Sequence, residues 1–325
     1  MQRQAARCVD EGASSAGASG LVVVTVTDRT YVELTGIMLL SLARHGGADV
    51  AAVHVFGNDL GPADRARLAA CHPGVVLHDL DAGVRDLLGR LVARAHVAPS
   101  AYARLLIPNL LPDIGGRLLY VDCDTLINAP LTPLAGLDLK GHAVAAVRDQ
   151  RRDAHAEWNR RLGLPEATPY LNTGVLLIDA PAWRAAELTR RCLDVALAHG
   201  DRLRMMDQDT LNIALAGDWY ELERRWNYYE SSYTARRSNN VSGFTSAGII
   251  HFVGRSKPNH ADCRHPARAI YRAYRAQSPW AQAPLLNPTL RNIRVYAMET
   301  LRRSLRVGLR LLDRLRGRPV GLQGD

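Results

Sequence analysis

RLLYVDCDTLI, Arg117 to Ile127, decides how the rest of this sequence is read. Four apolar residues, Leu118 to Val121, make a run typical of a buried strand, and it stops on Asp122-Cys123-Asp124. In an extended chain residues i and i+2 project to the same side, so the spacing predicts that both carboxylates meet at the strand end. Two carboxylates that close repel unless a positive charge lies between them, and a hard divalent cation with oxygen ligands, itself bound to a diphosphate, meets that need. A D-x-D alone is a weak signal. The competing reading is a solvated strand-end turn in which Asp124 caps whatever follows.

Outward from this run the same alternation repeats. LVVVTV (Leu21 to Val26) reads as a strand buried on both faces, and Leu34, Ile37, Met38 and Leu42 recur at helical spacing within Tyr31 to Arg44. AAVHVF (Ala51 to Phe56) is strand-like again, Pro62 opens a helix to about Cys71, and GVVLHDL is a short strand. Asp81 to Leu111 reads as largely helical until Pro112, and AVAAV (Ala143 to Val147), GVLLID (Gly174 to Asp179) and GIIHFV (Gly248 to Val253) are further strands. Strands alternating with helices predict an α/β fold with a mostly parallel central sheet. In such sheets the ligand crevice lies at the carboxyl ends of the strands, where the polar residues of this chain collect.

The bulk numbers bound the rest. A chain of 325 residues, 47% of them hydrophobic, is near the upper limit for one compact domain. The formal net charge is +9, but Arg291 to Arg318 carries nine arginines against Glu299 and Asp313, a surplus of seven that leaves the body near neutral. This argues against a broad nucleic-acid-binding face and for a local basic anchor. Five widely spread cysteines (Cys8, Cys71, Cys123, Cys192, Cys263) with no CxxC pair point to a reduced, cytoplasmic protein. Residues 1–20 read as a disordered leader without a signal peptide, and no segment approaches the roughly 20 apolar residues of a membrane span. The catalytic domain is expected over 21–279 and a Pro-rich linker over 280–289. A basic amphipathic helical tail follows over 290–318, with a flexible end over 319–325. In that tail Met298, Leu301, Leu305, Leu309 and Leu312 form an apolar stripe flanked by arginines, suited to an anionic membrane surface or to packing on protein.

Two further groupings carry chemistry. His251 ends an apolar run within HFVGRSKPNH, and an imidazole beside two carboxylates shifts metal preference towards manganese; a histidine satisfied in the core is the plainer reading. Lys257 is one of only two lysines, with Lys140, in an arginine-rich chain, which fits a compact phosphate contact as well as an ordinary surface residue. MDQDTLN (Met206 to Asn212) reads as a helix start, where capping explains one aspartate and solvent exposure the others. His260, Cys263 and His265 are too cramped for a usual paired-ligand zinc site.

In their order and spacing, VTDRTY, YARLLIP (Tyr102 to Pro108), LLYVDCDTLI (Leu118 to Ile127), YLNTGVLLID (Tyr170 to Asp179), MDQDTLN and HFVGRSKPNHADC resemble the family-8 glycosyltransferases. That group includes bacterial lipopolysaccharide galactosyl- and glucosyltransferases and glycogenin. The resemblance implies a GT-A type, Rossmann-like single domain and a retaining hexosyltransferase using a UDP-sugar. It implies that Asp122, Asp124 and His251 hold Mn2+ or Mg2+, and that Asp28 accepts the uracil N3–H. It also implies that Arg104, Asn172, Asp207 and Gln208 surround the donor sugar, with Gln208, Asp207 and Arg104 as the catalytic set, while Gly254 and Lys257 contact the diphosphate. The acceptor it implies is a glycan or lipid-linked hydroxyl. Lys257-Pro258-Asn259 departs from a family pattern that often reads KPW, and the loops Asp149 to Thr168 and Tyr228 to Thr245 carry no transferable match. A sugar nucleotidyltransferase is the nearest competitor, but it would show a glycine-rich loop after the first strand, where VTDRTYVELTG stands. A non-catalytic scaffold binding polyanions through the tail would tolerate loss of the site residues, which are intact.

Overall fold

The fold is described by a computed structural model covering residues 20–92, 100–150, 155–200, 202–230, 241–254, 257–287 and 298. The expected leader and flexible end, and nearly all of the expected tail, lie outside the described residues. Nine strands run β1 (Leu21–Asp28), β2 (Val50–Asn58), β3 (Val75–Asp79), β4 (Arg117–Val121), β5 (Thr125–Ile127), β6 (Val144–Arg148), β7 (Leu171–Asp179), β8 (Tyr220–Glu221) and β9 (Ile249–His251) among the described residues. The helices are α1 (Val32–His45), α2 (Pro62–Cys71), α3 (Ala82–Val92), α4 (Ser100–Ala103), α5 (Ile107–Leu110) and α6 (Thr132–Ala135). They continue with α7 (His155–Leu162), α8 (Ala180–Ala185), α9 (Leu188–His199), α10 (Met206–Leu215), α11 (Val241–Thr245) and α12 (Arg268–Arg275).

Seven strands form one sheet in the order β3-β2-β1-β4-β7-β6-β8. It is mostly parallel, as expected; the exception is β7, antiparallel to both β4 and β6. The apolar run of β1 is buried on both faces: Leu21 and Val23 face one core with α1 and α12, Val22, Val24 and Val26 the other with α9 and α10. Burying both faces is what a continuous rather than alternating apolar run requires.

One expected strand does not join this sheet. GIIHFV supplies β9, which pairs antiparallel with β5 in a separate two-stranded ribbon, Thr125 opposite His251. Because β5 begins just past Asp124, this pairing carries His251 back to the end of β4. Residues 280–287, placed by the sequence in a linker, are fixed to the domain: Trp280 is 5% exposed, and Leu286 bridges to His260. The reason is Gly36 on α1, whose missing side chain leaves the space the Trp280 ring fills, with ring Cη2 2.6 Å from where a Cβ would be and Cζ3 closer still. Among the described residues no helix is long and apolar enough to cross a membrane.

Candidate active site

The site begins where β4 ends. Asp122 donates its N–H to the Gly174 carbonyl on β7 (2.8 Å), and its own carbonyl accepts from Thr125 N (3.2 Å) and Thr125 Oγ1 (2.8 Å). The two carboxylates therefore converge through a tight turn, not through strand alternation. With His251 they form a group whose ligand atoms all lie within 4.8 Å of one another. His251 Nε2 is 3.3 Å from Asp124 Oδ1 and 3.6 Å from Asp122 Oδ2. Two carboxylates and an imidazole, nearly buried and aimed at one point, are a donor set for a divalent cation. The solvated-turn reading fails on burial at Asp124, which is only 8% exposed, while Asp122 and Cys123 are half-buried.

Cationic side chains already balance this charge. Lys257 Nζ is bonded to Asp124 and donates to the Phe252 carbonyl (2.9 Å). Burial pushes the Asp124 carboxyl up, but Lys257 and His251 outweigh it and hold it far below the ordinary carboxylate range. Arg104 bridges Asp122 (2.9 Å) and Asp207 (3.1 Å), donates to the Thr173 carbonyl (2.9 Å) and lies over the Tyr120 ring. Burial opposes its charge, and the two carboxylates more than restore it. Asp207 is pushed up by burial, an effect Arg104 and the Thr173 hydroxyl only partly offset. Cys123, between the carboxylates, is raised well above the ordinary thiol value by burial and then by its acidic neighbours.

The MDQDTLN segment is a helix start, as predicted, but solvent exposure does not explain its aspartates. Asp207, Gln208 and Asp209 are all buried in the first turns of α10. Asp209 is structural: it accepts from Arg204 N (2.7 Å), Met205 N (2.8 Å), Trp158 Nε1 (2.8 Å) and Tyr170 OH (2.6 Å). Gln208 faces the site with both amide ends engaged. Its Oε1 accepts from Asn172 Nδ2 (3.0 Å), and its Nε2 donates to Asp149 Oδ2 (3.2 Å).

Of the remaining sequence-predicted residues, Asp28 ends β1 with Oδ1 accepting from Thr30 N (2.8 Å) and Tyr31 N (3.2 Å). β1 pairs parallel with β4, so Asp28 and Asp122 stand at the same edge of the sheet; burial pushes the nearby Tyr31 hydroxyl up, and the Lys257 charge opposes that shift. Gly254 has φ +92°, a conformation that favours glycine, and a Cβ there would meet nothing within 4 Å among the described residues beyond its chain neighbours. Asn259 is buried, with its backbone carbonyl on Leu286 N (2.9 Å). The cramped zinc set does not assemble: Asp122, Asp124 and His251 are the one group of three or more His, Cys, Asp or Glu residues within ligand range among the described residues.

Sequence reasoning missed Asp149, Thr173, Asn227 and Tyr229. Asp149 is 3% exposed and also accepts from Tyr229 OH (3.2 Å). A carboxylate just past the AVAAVR strand repeats the signal that singled out Asp122, so Asp149 was findable. Asn227, within the 3-10 turn Arg224–Asn227, carries no comparable local signal.

With this geometry in place, a profile described as Glycosyl transferase family 8 matches residues 22–263. The chain is 29% identical over 273 residues to "General stress protein A" of Bacillus subtilis strain 168, covering 79% of this chain and 94% of the relative. It is 25% identical over 275 residues to the "Lipopolysaccharide 1,3-galactosyltransferase" of Salmonella typhimurium strain LT2, covering 80% and 79%. The solved galactosyltransferase LgtC, crystallised with donor and acceptor sugar analogs, superposes with a TM-score of 0.68 at 23% identity, covering 79% of this chain and 96% of that one. The fold is GT-A type.

Proposed function

The chain belongs to glycosyl transferase family 8, and from that premise we propose that it is a metal-dependent, retaining hexosyltransferase. It moves galactose or glucose from a UDP-sugar to a hydroxyl of a glycan or lipid-linked acceptor, in lipopolysaccharide or other cell-surface glycan synthesis. The observation that carries this reading is the convergence of Asp122, Asp124 and His251 at the β4 end, beside the buried cluster of Arg104, Asn172, Asp207 and Gln208. The similarity to the Salmonella galactosyltransferase supports the hexose and the acceptor class.

Asp122, Asp124 and His251 would hold the cation, Mn2+ in preference to Mg2+ because one ligand is imidazole. When bound, it supplies charge neutralisation at the departing diphosphate. Lys257, whose long stem now brings its ammonium to Asp124, would add a second positive charge on the diphosphate, and Gly254 would let backbone approach it. Asp28, at the β1 end, would accept the uracil N3–H.

Arg104, Asn172, Asp207 and Gln208 would enclose the donor sugar. Because Gln208 is tied at both amide ends, it is held still, and a neutral amide is a poor nucleophile. A front-face route, with the acceptor attacking on the leaving-group side and UDP assisting as base, fits this better than a double displacement. The expected product from an α-linked donor is α-linked.

The chain is further proposed to work in the cytoplasm, held at the inner membrane surface by residues 290–318. The deciding experiment is transfer from a panel of UDP-sugars with Mn2+, Mg2+ or EDTA, alongside Asp122→Asn and Asp124→Asn. Galactose or glucose transfer that requires metal and is lost in both variants is expected. Full turnover in EDTA sinks the metal reading, and a β-linked product by NMR sinks retention.

A further inference from the structure

Asn227 has no part in the reading above, yet it touches both halves of the site. It is 0% exposed. Its turn is fastened to β9 on both sides: Gly248 N donates to the Arg225 carbonyl, Tyr228 N to the Ile249 carbonyl, and His251 N to the Tyr228 carbonyl, each at 2.9 Å. That clamp sets the Asn227 side chain beside the His251 ring, Oδ1 2.8 Å from Nδ1. The other end of the amide, Nδ2, donates to Asn172 Oδ1 at 2.7 Å.

The direction of this chain of bonds follows from donor and acceptor chemistry. Asn172 Oδ1 also receives the Gly174 N–H (2.9 Å), so it is an acceptor and must meet the NH2 end of Asn227. The carbonyl end of Asn227 is thereby turned to the histidine. A carbonyl facing Nδ1 requires that Nδ1 carry a proton, which leaves the lone pair of the neutral ring on Nε2. That nitrogen is the one facing Asp122 and Asp124. On the far side, Asn172 Nδ2 donates to Gln208 Oε1 (3.0 Å), and Gln208 Nε2 to Asp149 (3.2 Å). One line of hydrogen bonds thus runs from His251 through Asn227 and Asn172 to Gln208 and ends on a carboxylate.

We propose that Asn227 is the positioning residue of this site: it fixes His251 in the Nδ1–H tautomer, which presents Nε2 to a metal, and through Asn172 it orients Gln208. The inference rests on the metal-dependent reading of the site. Partners that hold the second nitrogen of a metal-binding histidine are generally worth about 10–100-fold in metal affinity.

Two measurements test it. In the full-length protein labelled with 15N-histidine, long-range 1H–15N correlation is expected to show His251 Nδ1 protonated both without metal and with Mg2+ and UDP. Mn2+ affinity, titrated calorimetrically in the presence of UDP, is expected to fall about 10–100-fold in Asn227→Leu. In Asn227→Asp, which keeps an acceptor for Nδ1–H but sets an oxygen against Asn172 Oδ1, the loss should stay below about tenfold. An unprotonated Nδ1, or a folded Asn227→Leu protein that binds Mn2+ like wild type, overturns the assignment of Asn227 alone. Wild-type protein that binds no Mn2+ overturns the metal reading and this inference with it. If Asn227→Leu does not fold, the wild-type spectrum and Asn227→Asp still decide.

Discussion

Gly174 and His251 lie so close that a Cβ on residue 174 would come 2.5 Å from the imidazole Nδ1 and closer still to Cε1. The glycine of the Asn172-Thr173-Gly174 stretch of β7 is therefore the seat of the histidine ring. Its role is spatial: it makes room 77 positions away in sequence, as 251 minus 174 gives.

Gly174→Ala should push the ring off its position opposite Asp122 and Asp124. Overpacking of this kind costs about 1–3 kcal/mol. The expected outcome is a lowered thermal midpoint together with at least a tenfold loss of Mn2+ affinity by calorimetry. Unchanged Mn2+ binding would falsify the claim that the ring pose depends on this glycine.

Glu33 on α1 and Arg275 on α12 form a buried pair, Arg275 Nε to Glu33 Oε1 at 2.7 Å, and Tyr271 OH donates to the same oxygen at 3.1 Å. Arg275 also donates to the Ala283 carbonyl (2.8 Å), so it ties the docked 280–287 segment to the domain. Removing one partner of a buried ion pair strands the other and costs about 3–5 kcal/mol. Arg275→Ala should therefore lower urea stability by about that amount, while activity per folded molecule holds. A cost below about 1 kcal/mol, the range of an exposed pair, would contradict this.

His265 sits between Phe244 and Phe252, 8% exposed. Burial first, then His251 and Lys257, pushes its pKa from the ordinary 6.5 down to about 4. Between these values the unfolded chain binds the proton and the folded one does not, so stability falls as pH drops from 6.5 towards 4. The slope from this group alone is at most ~1.4 kcal/mol per pH unit. His54, His72 and His78 are also shifted down by burial and act in the same direction, so the comparison must be with a variant. His265→Asn, whose Oδ1 replaces the ring nitrogen that accepts from Ala267 N, should show a shallower acid loss in urea titrations at several pH values. Parallel curves for the two proteins would refute the assignment.

The membrane proposal concerns residues outside those described, and it is tested in the full chain. Replacing Arg302, Arg303 and Arg306 with Gln removes three charges worth about 1 kcal/mol each near anionic headgroups, roughly a 100-fold weaker partition. Sedimentation with anionic vesicles at low salt should show that loss, with donor hydrolysis unchanged. No binding by the wild-type protein returns the tail to packing on protein. A truncation for the same purpose must fall after Asn287, because cutting at Trp280 removes the docked segment from the domain.

What this sequence determined by itself is local. Apolar runs such as LVVVTV and RLLYV fix strands because hydrophobic periodicity is a near-neighbour property, and Asp122 and Asp149 follow such runs directly, so they stand at strand ends whatever the rest does. The helix start at Met206 was equally plain, being set by residues within one turn of it. What the tertiary structure alone decided is which of these ends meet. The sequence cannot show that β7 enters antiparallel beside β4 and so places Gly174 under His251, nor that β9 leaves the main sheet to pair with β5. It cannot show that Asn227 stands between His251 and Asn172, or that Asp207 and Gln208 are buried where a capping turn would leave them exposed. The physical reason is that a metal or sugar site is held by directional bonds of about 3 Å between groups far apart in the chain. Only strand register and close packing set distances that fine.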